Sequence, residues 1–448
     1  MKVLKFGGTS VGSPQRIKDV CRLVNDGEPK IVVLSALSGT TNSLIRINDD
    51  FYAGKTQCAL QKIDELEHVY TKHVEELFRS EEHKSKTLSC FNQIFLFLRS
   101  FAKGKFSMAE AKQIVGQGEL LSTNMVAQYM KELGMDVVLI PALDFMRTDK
   151  NNMPDEEFIK KGLSKLLAEN DGHHIYLTQG FICRNAYGEM DNLLRGGSDY
   201  TASLVGAAVN ASEIQIWTDI DGMHNNDPRV VENTAPVHHL SFEEAAELAY
   251  FGAKILHPTC VLPAKKACIP VKLLNTMEPT AEGTTISNHL ERGKIKAVAA
   301  KDNITVINIT SSRMFMAYGF MCKVYEIFNK YKTCIDVVCT SEVGVSVSID
   351  NDTSLNDIEK ELRQLGDVEI DRNMSVICVV GDLNWHNVGF ETLVTEAMRN
   401  IPVRMISYGG TPYNISYIIK EEDKERALNQ LSSILFKEDN DIGFVSRK

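Results

Sequence analysis

A block of lysine and arginine is missing from this chain, whose formal net charge is −10, so no face suited to a phosphate backbone is expected and nucleic acid is not an expected partner. Apolar runs are short as well: the best candidate, Ile94 to Phe101, is broken by Arg99 and falls below the roughly 18 residues of a membrane span. Before the first glycines stand only Met1 to Phe6, with no apolar stretch of signal-peptide type, so neither export nor a membrane is expected. The ten cysteines include no Cys-x-x-Cys pair, which predicts reduced, mostly buried thiols in a cytoplasmic protein rather than a disulfide framework or a zinc site. None of the eleven histidines forms His-Glu-x-x-His, and there is no Gly-x-Ser-x-Gly elbow. Gly54-Lys55-Thr56 lacks the earlier glycine of a Walker A loop, since that position is Asp49, and Gly116-Gln117-Gly118 has Leu121 where a dinucleotide fingerprint needs glycine. Metal ligands are therefore not assigned.

What is present is a soluble-type composition, 44% hydrophobic and 24% charged, over 448 residues, enough for two or three domains. The first two thirds alternate strand-like runs with helical patterns, which predicts an α/β domain with a largely parallel sheet. Expected strands are Val3 to Phe6, Ile31 to Ser35, Ile175 to Ile182, Ile214 to Trp217 and Ile269 to Leu274. Apolar residues at three- and four-residue spacing from Leu60 to Phe78 predict an amphipathic helix, on which His68 and His73 do not share a face. Ser241-Phe242-Glu243-Glu244 reads as a capping box for a helix expected to run to His257, ahead of Pro258. The last third repeats itself. Gly319-Phe320, Ile335 to Val338 and Ser346 to Ile349 recur about 70 residues later as Gly389-Phe390, Val403 to Ile406 and Asn414 to Tyr417. Glu291-Arg292-Gly293-Lys294 reads as the linker ahead of this duplicated module.

Four polar, glycine-rich clusters follow strands, where open α/β sheets bind ligands. In Lys5-Phe6-Gly7-Gly8-Thr9-Ser10 two glycines admit an anion to the backbone N–H groups and Lys5 adds a point charge. Ser35 to Asn42 is a loop of small hydroxyl residues that an ordinary N-cap would also explain. Arg195-Gly196-Gly197-Ser198-Asp199 opens an alanine-rich helix, and a simple cap explains its serine or aspartate but not the adjoining arginine and glycines. Thr218-Asp219-Ile220-Asp221-Gly222, followed by Asn226-Asp227-Pro228-Arg229, is by itself ordinary turn composition.

Together these segments resemble the aspartokinase family. Lys5 to Val11, Gly118 to Ser122, Arg195 to Asp199, Trp217 to Asp219, Asp227 to Arg229 and Phe251 to Pro258 fall in the family's order and at similar spacing, over essentially the whole chain. The resemblance implies a monofunctional, lysine-sensitive enzyme that phosphorylates the β-carboxylate of L-aspartate with ATP and Mg²⁺, with no homoserine dehydrogenase expected behind Lys448. It implies an amino-acid-kinase αβα sandwich over residues 1–294, followed by two ACT-type α+β regulatory modules over 295–373 and 374–436. In the family the end of the chain often returns to the first module, which would add 437–448 to it. Carried over by position, Lys5 and Asp199 are expected to be catalytic, and Ser35, Thr41, Glu119, Arg195 and Ser198 to hold aspartate. Lys5, Gly7, Gly8, Ser10, Thr218, Asp219, His224, Arg229 and Lys254 match nucleotide-binding positions, His224 standing where close relatives often have tyrosine. Met314, Phe320, Asp336, Ser341 and Glu342 match the lysine-effector region. Asp336, which the second repeat replaces with Arg404, could receive a cationic side chain or be a solvated strand-end carboxylate. A homodimer or homotetramer through the ACT-type modules is expected.

The chemistry suits these residues. A β-carboxylate is already ionised at neutral pH, with a reference pKa of about 3.9, so the absence of a catalytic histidine is no obstacle. A kinase for glutamate or acetylglutamate would share the fold, but the Lys5 to Ser10 opening and the duplicated module argue against it. A non-catalytic amino-acid sensor is disfavoured because Lys5, Arg195 and Asp199 are all present.

Overall fold

The computed structural model describes residues 1–104, 106–193, 196–252, 258–312 and 318–437. Two compact units divide the chain: residues 1–222 with 256–288, and residues 223–255 with 289–448.

In the first unit the strands lie in the order Val137–Leu139, Ile175–Gln179, Lys30–Leu34, Lys2–Phe6, Ile214–Thr218, Val271–Asn275 and Thr284–Ser287. Every pairing is parallel until the last, which is antiparallel. Strand side chains alternate between faces, and here both faces are buried. Leu4, Phe6, Val32 and Leu34 enter a core with residues of the helices Pro14–Val24, Thr40–Tyr52, Thr56–Leu77, Glu81–Ser100 and Gln117–Glu132. Val3, Ile31, Val33 and Ile216 are equally buried on the opposite face, where Gly206 of the helix Gly197–Ala208 lies so close to Ile214 that a Cβ would meet its side chain at 2.5 Å. The result is the expected three-layer arrangement. Near-continuous apolar strands such as Lys30–Leu34 follow from burial on both sides.

The expected run from Ile175 to Ile182 is two strands, Ile175–Gln179 and Ile182–Arg184. Phe181 adopts φ 64° between them, and Gly180 leaves a space that Ser198 fills, since a Cβ there would lie 2.3 Å from the Ser198 Oγ.

In the second unit the capping box is present, Ser241 and Glu244 bonding each other's backbone, but the helix Phe242–Tyr250 ends sooner than expected. Gly252 turns the chain at φ 131°, 2.0 Å from Ala300 O for any added Cβ; residues 253–257 lie outside the described residues. The duplicated module forms one six-stranded sheet in the order Val337–Thr340, Gly344–Ile349, Ile295–Thr310, Asp367–Gly381, Asn414–Lys420 and Val403–Tyr408, antiparallel throughout. Each repeat starts its helix from a left-handed glycine: Gly319, φ 78°, before Phe320–Lys330, and Gly389, φ 104°, before Phe390–Ala397. The two long central strands are shared. Residues 304–310 pair with 367–374 beside the first repeat, while 295–301 pair with 376–381 beside the second. A register shift between Lys301 and Ile304, with Asn303 at φ 59°, separates the two halves. The segment 295–301 thus supplies a strand next to the second repeat. A return of 437–448 to the first module lies, beyond Lys437, outside the described residues.

Candidate active site

Leu4 and Phe6 point into the core, so Lys5 between them projects from the other face of the central strand. Its Nζ lies 2.6 Å from Asp199 Oδ1, and the residue is 9% exposed. Asp199 stands in the first turn of the helix Gly197–Ala208, entered through Gly196 at φ 72°, where the positive end of the helix dipole favours a carboxylate. An ammonium this buried needs such a partner, because desolvation otherwise outweighs its attractions.

The turn after the strand is tied to both neighbours. Gly7 N–H donates to Trp217 O at 3.2 Å, and Gly8 O accepts from Ser38 N–H at 3.1 Å. A Cβ on Gly8 would lie 2.8 Å from Ala36 O, so only glycine permits this approach. The buried Ser10 hydroxyl donates to Trp217 O at 3.3 Å and lies 2.7 Å from Thr276 Oγ1. Its geometry stitches the turn to the next strands.

At the end of the second strand Ser35 donates to Ser198 Oγ at 2.9 Å, and its carbonyl accepts from Ser122 at 2.8 Å. The next residue, Ala36, donates its N–H to Glu119 Oε1 at 3.3 Å. Glu119 is 4% exposed, and burial pushes its carboxyl up to about 8 against the opposing pull of the Ala36 and Glu119 N–H groups. Thr41 is half-buried in the first turn of Thr40–Tyr52, beside Thr40, whose hydroxyl meets Tyr70 Oη at 2.9 Å. Burial holds the Tyr70 phenol well above its usual range. Thr218 donates to the Asp219 carboxylate at 3.1 Å on the exposed end of its strand.

The structure therefore gathers Lys5 with Asp199, Ser35 with Ser198, and Ser35's neighbour Ala36 with Glu119. Arg195 and Lys254 lie outside the described residues. His224 and Arg229 belong to the second unit, where the His224 Nδ1 lies 2.8 Å from Thr234 Oγ1 and Arg229 forms a two-pronged bond to Asp227 at 2.9 and 2.7 Å.

In the first repeat Phe320 belongs to the module's core, Ser341 and Glu342 are exposed beside the turn before Gly344, and Met314 lies outside the described residues. Asp336 is not a solvated strand end: its side chain is 3% exposed and accepts from Tyr250 Oη at 2.7 Å and Lys301 Nζ at 3.2 Å. Tyr250 and Lys301 were not singled out from sequence. The one available cue was that a buried carboxylate requires partners; the partners themselves stand far away in the chain.

With this geometry in view, the amino acid kinase family model matches residues 1–275, and an ACT domain model matches residues 377–435. The class is an amino acid kinase with an ACT-containing second part. Over 469 aligned residues the chain is 32% identical to aspartokinase 3, chloroplastic, of Arabidopsis thaliana, covering 98% of this chain and 82% of that one. It is 30% identical to lysine-sensitive aspartokinase 3 of Escherichia coli strain K12, covering 97% and 99%. The crystal structure of E. coli aspartokinase III in complex with aspartate and ADP (R-state) superposes with a TM-score of 0.82 at 30% identity, over 98% of this chain and 100% of that one. The same enzyme in complex with lysine and aspartate (T-state) gives 0.82 at 31%, with the same coverage. The chain belongs to the aspartokinase family.

Among the described residues no helix is long and apolar enough to cross a membrane.

Proposed function

We propose that this chain transfers the γ-phosphoryl group of ATP to the β-carboxylate of L-aspartate, giving 4-phospho-L-aspartate and ADP, the first step towards the amino acids made from aspartate, and that L-lysine inhibits it through the first ACT-type module. The observation that carries the kinase reading is the Lys5–Asp199 pair at 2.6 Å, set beside two glycines at the carboxyl end of the central strand. An oxygen of the β-carboxylate forms a bond to the γ-phosphorus while the bridging β–γ oxygen departs with ADP. No proton moves, because the nucleophile is already ionised. What opposes the reaction is repulsion between a carboxylate and a triphosphate, so catalysis consists of positioning and charge neutralisation.

In this reading Lys5 faces the transferring group and Asp199 positions Lys5. Ser35, Thr41, Glu119, Arg195 and Ser198 hold aspartate, Arg195 forking the α-carboxylate and Glu119 accepting from the α-ammonium. Gly7 and Gly8 open the backbone to phosphate, Ser10 anchors their turn, and Thr218, Asp219, His224, Arg229 and Lys254 serve the nucleotide. Among the described residues no group of three or more His, Cys, Asp or Glu is arranged for a metal. Mg²⁺ is proposed to be carried mainly by phosphate oxygens and water, with Asp199 as the carboxylate beside Lys5; bound there, it would neutralise phosphate charge.

The catalytic part is proposed to span 1–294, and the modules 295–373 and 374–436. Exposed Val403, Ile406 and Tyr408 on an edge strand support assembly into a homodimer or homotetramer through the modules. Among the described residues none of the ten cysteines is in a disulfide, which supports a cytoplasmic setting. ATP turnover measured with aspartate, glutamate and acetylglutamate tests the reaction; preference for either of the other acids overturns it.

A further inference from the structure

The expected effector carboxylate already has a cation. Lys301 Nζ lies 3.2 Å from Asp336 Oδ2 and 2.8 Å from Asp350 Oδ2, and 5.0 Å from the centroid of the Tyr250 ring, whose hydroxyl donates to the other oxygen of Asp336. The four residues reach one point from separate elements. Lys301 stands at the register shift in Ile295–Thr310, Asp336 immediately before Val337–Thr340, Asp350 immediately after Gly344–Ile349, and Tyr250 at the end of Phe242–Tyr250. All belong to the second unit.

The two carboxylates are not equivalent. The Asp336 side chain is 3% exposed, whereas that of Asp350 is 41% exposed. Asp350 is therefore a partly solvated second berth for the same ammonium, on the shorter contact. One ammonium between two carboxylates leaves the group with a net charge of −1, so one more cation can be admitted without stranding a charge of either sign. Burial pulls the Lys301 ammonium down, but the two carboxylates outweigh it and hold Lys301 above the ordinary lysine range, so it stays charged.

We propose that Lys301 is a built-in competitor for the cationic side chain of an amino-acid effector at Asp336, and that it withdraws onto Asp350 when the effector binds. The inference rests on the lysine reading of the first module. It adds that the threshold for inhibition is set by an exchange of ammonium groups at Asp336, in which Asp350 retains the displaced one. An effector with the same four-carbon side chain but no ammonium gains nothing from the exchange.

The test is calorimetric titration of L-lysine and L-norleucine into the full-length protein and into Lys301→Met and Asp350→Asn, with the lysine inhibition curve of each. Lys301→Met is expected to bind lysine about tenfold or more tightly, the scale of one charge-assisted hydrogen bond, with norleucine unchanged. Asp350→Asn takes away the second berth and is expected to weaken lysine binding by several-fold, on the same scale. If the unsubstituted protein neither binds lysine nor is inhibited by it while Lys301→Met binds it, the exchange stands and the feedback reading fails. If lysine inhibits but Lys301→Met binds it no more tightly, the exchange is overturned and the feedback reading stands. Binding by neither protein overturns both. Should Lys301→Met not fold, Asp350→Asn decides: unchanged or tighter lysine binding overturns the proposal.

Discussion

If Glu119 accepts from the α-ammonium as proposed, aspartate binding becomes a titration. With its carboxyl pushed up to about 8 by burial, and no Lys, Arg or His paired with it among the described residues, it is protonated in most ligand-free molecules at pH 7. A neutral carboxyl is a poor partner for an α-ammonium, so the aspartate complex favours the ionised form and binding must release that proton. The penalty at pH 7 is a factor of about ten, or about 1.4 kcal/mol, and it grows about tenfold for each further pH unit downward. The aspartate Kd should therefore rise about tenfold from pH 7 to pH 6 and level off above about pH 8. Calorimetry at pH 7 in buffers of different ionisation enthalpy should report release of about 0.9 proton per aspartate bound. Glu119→Gln should bind aspartate more weakly at pH 8 and lose both the slope and the proton. A pH-independent Kd between 6 and 8, with no proton released, refutes the reasoning.

The same shift has a consequence for stability, and its sign is opposite to that of an ion-paired carboxylate. The folded-state value of about 8 lies above the unfolded value of about 4.3, so between those limits the folded chain holds a proton that the unfolded chain gives up. Stability of the ligand-free protein from this group is fullest below about pH 4.3 and declines as the pH rises towards 8. The ceiling on the loss is about 5 kcal/mol, reduced by any relaxation of the site. Melting temperatures of the protein and Glu119→Gln across this range should converge at the acidic end and diverge, in favour of the variant, towards pH 8.

Three further outcomes follow from the geometry. Lys5→Ala should lower kcat at least about a hundredfold, the scale of losing one charge-stabilising donor; a folded variant with near-normal turnover removes the assignment. Gly180→Ala sets a methyl 2.3 Å from Ser198 Oγ, so the start of that helix must shift; a loss of about 1–3 kcal/mol in thermal stability and a raised aspartate KM are expected, and an unchanged KM would separate Ser198 from the substrate. Lysine, added to the kinase assay beside threonine, should inhibit; inhibition by threonine alone overturns the lysine reading.

How far the sequence could be read depended on how local each determinant is. The capping box at Ser241 acts within a few residues of itself and starts its helix where the sequence predicted, and the matched glycines Gly319 and Gly389 each start a helix at the same point of the repeat. Lys30–Leu34 was legible because burial on both faces leaves a near-continuous apolar run. The break at Gly180 and Phe181 was not, because its cause is Ser198 arriving from another element. The sharing of Ile295–Thr310 between the two repeats was hidden for the same reason. A 16-residue strand has no local mark showing that its halves pair with different stretches of Asp367–Gly381, and the register shifts between Lys301 and Val306 divide them. Asp336 is the sharpest case. Its residue type suggested a cation, but Tyr250 and Lys301 are 86 and 35 residues away, and nothing in their own surroundings points to it.

Lys5 and Lys301 then obey one rule from opposite directions. Each is an ammonium withdrawn from water and matched to a carboxylate of its own unit, Asp199 in one case and Asp336 with Asp350 in the other, because an unmatched charge at such depth is strongly destabilising. Neither site is a bare electrostatic trap, so a ligand at the proposed sites would enter by re-partnering charges already present, its affinity the difference between two pairings. Under the proposed kinase reading, that difference at Lys5 is useful to catalysis. A bound triphosphate in its ground state has only to compete with Asp199, whereas charge developing on the bridging oxygen that departs with ADP would draw the ammonium more strongly in the transition state. The pairing that keeps Lys5 stable at rest thereby reserves part of its attraction for the moment of transfer.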